Sequence, residues 1–122
     1  MTGAILAAAA APTAASGSGS GITAMAWANI SARGIGVNAA QTFAGFTGSI
    51  TISASDTGGA NISYYKNGVS HGLYTGPFPV SAGDTLAWQL SIPGSSGVSG
   101  TVTVDYNGTN LIDTFSYVLT WP

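Results

Sequence analysis

The chain has 122 residues and no cysteine, which excludes disulfides, zinc-thiolate sites and thiol chemistry. Only 5% of it is charged, as Arg33, Lys66, Asp56, Asp84, Asp105 and Asp113, for a formal net charge of -2. Two cationic side chains cannot neutralise a phosphate backbone, so nucleic-acid binding is not expected.

The length suits one domain. A hydrophobic content of 45% with 10% aromatics is enough to bury a core, which argues against disorder. The poverty of charge gives little self-repulsion and suits a subunit of an assembly, with homo-oligomers expected.

Residues 1–21 differ from the rest. The alanine-rich run over residues 4–11 is too short to cross a membrane. No Lys or Arg precedes it, so it lacks the charged start of a secretory signal. Thr2 as an N-cap and Pro12 as a stop predict a helix of about two turns, marginal alone in water. Residues 16–21 alternate Ser and Gly, a flexible-linker composition. We expect an N-terminal arm, extended or short-helical, that docks on a neighbour through Ile5 and Leu6. These are the large apolar side chains of residues 2–21.

Residues 22–122 carry the domain, and alternation at a period of two predicts strands throughout. The first spans residues 23–30, with Met25 and Trp27 on one face. A short second covers 41–46. Residues 49–54 place Ile50, Ile52 and Ala54 inward. Asp56-Thr57-Gly58-Gly59 is a turn by composition. Residues 61–66 put Ile62 and Tyr64 on one face and Tyr65 on the other, and Asn67-Gly68 signals a hairpin. Pro77 and Pro79 restrict residues 77–80 to an edge. Residues 85–92 alternate without a break: Leu86, Trp88, Leu90 and Ile92 inward, Thr85, Ala87, Gln89 and Ser91 outward. Residues 100–106 place Val102, Val104 and Tyr106 on one face, ahead of a second hairpin signal at Asn107-Gly108. Residues 111–121 place Phe115, Tyr117, Leu119 and Trp121 on one face. The pattern predicts an all-β fold, a single Ig-like antiparallel β-sandwich of seven to eight strands.

Val80-Ser81-Ala82-Gly83-Asp84-Thr85-Leu86, then Gly100-Thr101-Val102-Thr103-Val104, then Ile112-Asp113-Thr114-Phe115-Ser116-Tyr117 resemble a group of small Ig-like modules. These modules occur in virion proteins of tailed bacteriophages and in bacterial surface proteins. Gly45-Phe46 followed by Ser49-Ile50-Thr51-Ile52-Ser53 is similar too, so the likeness spans residues 23–121. It implies a structural virion protein, such as a capsid decoration subunit. The implied partners are copies of itself and major capsid or tail proteins.

Little points to chemistry. His71 stands alone beside Gly72, and a hydroxyl near it would be coincidence in a chain this rich in Ser and Thr. Asp56 and Asp84 suit turn capping. Asp105 and Asp113 flank the last hairpin and read as solvated strand acids, not as calcium ligands. No phosphate-binding glycine motif occurs. No catalysis, metal or cofactor is expected. Asn29, Asn61 and Asn107 begin Asn-x-Ser/Thr triplets, expected by chance in this composition. Tyr65 and Tyr74 fall outside the core pattern and are candidates for surface contact. A competing reading is a binding module for host glycans or proteins that uses Tyr65, Tyr74 or His71. Deleting residues 2–15 is expected to leave a melting temperature within error of the full chain while weakening self-association or particle attachment in co-sedimentation.

Overall fold

The computed structural model describes residues 22, 23 and 25–122. The expected helix and the docking residues Ile5 and Leu6 lie outside them. Among the described residues are ten strands and no helix. In chain order they are β1 (Ile30–Arg33), β2 (Ile35–Val37), β3 (Gln41–Thr42), β4 (Ser49–Asp56) and β5 (Asn61–Lys66). There follow β6 (Val69–Leu73), β7 (Phe78–Ser81), β8 (Thr85–Ser91), β9 (Val98–Tyr106) and β10 (Asn110–Thr120). They form two sheets, one ordered β1-β10-β9-β4-β7, the other β2-β8-β5-β6 with β3 also pairing β8. The chain crosses between sheets at Gly34, whose φ of 77° suits glycine.

The inward alternation holds through most strands. Ile50, Ile52, Val102, Val104, Phe115, Tyr117 and Leu119 of the first sheet meet Leu86, Trp88 and Leu90 of the second in one buried cluster. Its centre is aromatic. Trp27, Tyr64, Tyr74 and Phe78 surround Trp88 with ring centroids 6.0–6.4 Å away. Tyr64 of β5 stacks on Phe78 of β7 at 4.0 Å, which ties the two sheets together.

Several expectations are corrected. The first strand begins at Ile30, not at residue 23, although Met25 and Trp27 are buried as the alternation implies. Side chains replace the ladder there: Trp27 N donates to Asp113 Oδ2, and Ser116 N donates to Asn29 Oδ1 at 2.9 Å. The sheets are not wholly antiparallel, because β1 runs parallel to β10. The strand expected over residues 41–46 stops at Thr42, and the left-handed Gly45 at φ 88° turns the chain. Strands β2 and β6 were not expected.

Asp113 is buried, not solvated. Val104 pairs with Asp113 but Asp105 with Leu111, so Ile112 is the extra residue of a β-bulge. The bulge lets Ile112 and Asp113 both face inward. Trp121 is not a core residue but is 54% exposed. It lies past the end of β10, beyond the last β9 pair at Val98 and Leu119, where no opposing sheet covers it. Ala87 faces outward yet is buried.

Trp88 is fully buried. Trp88→Ala is expected to cost about 3–5 kcal/mol by leaving a cavity, and Thr85→Ala, on the opposite face of β8, within about 0.5 kcal/mol. Urea unfolding of the two variants checks the register; equal losses would contradict it.

Candidate functional site

The acids named by the sequence are built into turns and the core. Asp56 accepts from the backbone N–H groups of Gly58 at 3.0 Å, Gly59 at 2.8 Å and Ala60 at 3.0 Å. It also accepts from the Tyr117 hydroxyl at 2.8 Å. That hydroxyl reaches the turn because Gly58 and Gly100 have no side chain: a Cβ on Gly58 would collide with it, and one on Gly100 would sit 2.9 Å from it. Burial, with the Asp56 bond adding to it, pushes the Tyr117 phenol up to about 12.

Asp84 fastens the other end. It accepts from Asn67 Nδ2 at 3.0 Å and from Ser81 N at 2.8 Å. Asn67, left-handed at φ 54°, in turn accepts from Thr85 N at 2.9 Å. The Gly-Asp-Thr turn is thereby tied to the Asn-Gly hairpin. The Asn67 bond, then the Ser81 bond, holds the Asp84 carboxyl below its ordinary 3.8. Lys66 Nζ donates to Pro79 O at 3.0 Å and lies 3.9 Å from Asp84. Asp105 and Asp113 fall on opposite faces of the first sheet, because Asp105 follows the inward Val104 and Asp113 is itself inward. Among the described residues, no group of three or more His, Asp or Glu side chains is placed to hold a metal.

The remaining candidates are aromatic. His71 stacks on Tyr64 at 5.2 Å, on the side away from Phe78. Tyr74 is half-buried against Phe78 and Trp88, and its hydroxyl accepts from Ala54 N at 3.2 Å. Tyr65 differs. It stands on the outer face of the second sheet and donates to Gln89 Oε1 at 2.8 Å.

That outer face holds the site. Register pairs set Val37, Gln89, Ser63 and Leu73 in one row across β2, β8, β5 and β6. Ile35, Ser91 and Asn61 form a flanking row on one side, and Ala87, Tyr65 and Ser70 on the other. None of these residues is charged. Ile35, Val37 and Leu73 are each more than half exposed. Between the β2–β3 connection and the Asn67-Gly68 turn lies an apolar hollow of about 350 Å³. It is lined by Val37, Ala40, Tyr65, Gly68, Thr85 and Ala87. The small Ala87 side chain leaves room for it, and its taller neighbours screen Ala87 from solvent. The sequence alone pointed to Tyr65 only. Val37 and Ala40 belong to a stretch too short for strand periodicity and join Tyr65 only through the register on β8.

No protein-family model, curated protein or solved structure matches the chain.

A phenol whose folded-state pKa stands above its ordinary 10.0 stabilises the fold fully below that pH. The contribution is lost as pH rises through about 12. Urea unfolding between these pH values should show stability falling with pH, and Tyr117→Phe should flatten that slope. For Asp84 the sign reverses: its contribution is present above 3.8 and is lost as pH falls through its lowered value. Asp84→Asn should show a smaller acid loss than the parent chain.

Proposed function

We propose that the protein is a non-enzymatic structural subunit of a tailed-bacteriophage particle, an Ig-like sandwich of the capsid-decoration type. The observation that carries this reading is the outer face of the second sheet. It presents Ile35, Val37 and Leu73 to solvent around an apolar hollow, among uncharged neighbours. A face without charge loses little by being buried against another protein, whereas an unpaired charge would be costly there. The chain's charges lie elsewhere: Arg33 and Asp105 on the first sheet, Asp113 in the core, Asp56, Asp84 and Lys66 at strand ends and turns. The phage assignment itself rests on the sequence likeness of the Val80–Leu86, Gly100–Val104 and Ile112–Tyr117 segments.

The structural work of Asp56, Asp84 and Asp113 supports a role without catalysis. Each carboxylate accepts from at least one backbone N–H, as turn and segment fasteners do. A glycan-binding module is less well supported. Sugar recognition needs several polar groups converging on a pocket. This hollow offers an apolar lining, and the Tyr65 hydroxyl donates to Gln89.

Mass spectrometry and cryo-electron microscopy of purified particles from the producing host test the proposal. The expected result is the chain at a stoichiometric, symmetry-related copy number. Its absence from mature particles would refute the phage-particle role.

A further inference from the structure

Trp121 is the exposed member of the three tryptophans; Trp27 and Trp88 are buried. An indole left half in water on a chain this poor in charge is a ready contact residue, since tryptophan is enriched among the residues that dominate binding energy. The same molecule carries an uncharged hollow of about 350 Å³. That is the small end of the range for ligand pockets and suits one large side chain.

The two features lie at opposite ends of the second sheet. Trp121 follows Thr120, whose carbonyl accepts from Gly34 N at 2.9 Å, and Gly34 leads into Ile35, the partner of Ser91 at the end of β8. The hollow is lined by Thr85, at the start of β8. Ala87, in the wall of the hollow, lies four residues along β8 from Ser91, about 13 Å at the usual rise, and Trp121 is not among the residues that line it. One copy therefore cannot fill its own hollow with its own indole.

We propose that Trp121 of one copy seats in the Val37–Ala40–Tyr65–Ala87 hollow of the next, forming a head-to-tail contact. The inference deepens the subunit reading above and rests on it. Knob and hole are both uncharged, and a net charge of -2 lets like chains meet with little repulsion. Different surfaces meet in the two copies, so the contact propagates and builds a ring or an open row of subunits, not an isolated pair. One buried indole covers about 150–250 Å², far below the roughly 800 Å² per partner of a stable dimer. The contact is therefore weak between free copies and becomes effective when a lattice holds many of them side by side.

Sedimentation of the full chain, up to about millimolar concentration, should show mass rising with concentration and the Trp121 emission shifting to the blue. Trp121→Ala removes the knob, and Ala87→Phe fills the hole. Each alone should weaken self-association by about tenfold or more. Mixed in equal amounts, the two variants should form a dimer and nothing larger, since one keeps only the hole and the other only the knob. Val37→Lys on the exposed rim serves as a second hole variant, and thermal melts confirm that each variant is folded. A parent chain that stays monomeric, variants that associate like the parent, or a mixture that forms no dimer would each overturn the contact. Particle incorporation separates the two readings. Trp121→Ala chains in full copy number on particles, with a monomeric parent in solution, would refute the contact and leave the particle role standing. Head-to-tail association of a chain absent from particles would refute the particle role and leave the contact.

Discussion

Trp88 is the point on which the fold depends. Its indole is fully buried, with Phe78 of the first sheet, Tyr64 of its own sheet, Tyr74 of the loop between β6 and β7, and Trp27 of the N-terminal segment around it. Its backbone is held as firmly. It lies opposite the gap between β2 and β3, where neither edge strand can pair with it. Asn38 closes the gap: its N–H donates to Trp88 O at 3.1 Å, and its Oδ1 accepts from Trp88 N at 2.9 Å. A buried backbone pair left unmet would cost more than the bonds contribute when made. Asn38 therefore preserves the central strand while the chain arches outward, and the arch raises Ala40 as one wall of the hollow.

Scarcity of charge shapes the rest. With four carboxylates in the chain, three take structural posts. Asp56 ties its turn to Tyr117, Asp84 ties the β7–β8 turn to the β5–β6 hairpin, and Asp113 ties the N-terminal segment to β10. The fourth, Asp105, lies on the outer face of the first sheet, with Arg33 at its β1 edge and hydroxyls, Leu111 and Val118 between. The outer face of the second sheet is left neutral and partly apolar. The proposed docking of this face onto other chains follows from that division.

Much of the fold was legible in residue order. The alternation from Leu86 to Leu90 and from Val102 to Val104 fixed which face turns inward, because side chains on a strand change sides at every residue. The Asn67-Gly68 and Asn107-Gly108 pairs marked hairpins, and both asparagines are left-handed. What escaped had physical reasons. Residues 35–37 are too few to show a period, and Gly34 and Gly36 obscure them further. The segment over residues 25–29 alternates like a strand but takes its bonds from side chains, which no periodicity reveals. The bulge at Ile112 puts two neighbours on one face and so hid the burial of Asp113. Trp121 kept the phase of its strand but outran its cover. The hollow was beyond reach, because its walls come from three separate stretches of chain that meet only after β8 has paired on both sides.

The most direct test of the docking face is hydroxyl-radical footprinting of the chain free in dilute solution and in its assembled state. The account predicts that Ile35, Val37, Tyr65 and Leu73 lose reactivity on assembly while Val118, on the outer face of the first sheet, keeps it. Protection of Val118 with Val37 and Tyr65 unchanged would place the contact on the wrong sheet and contradict the account.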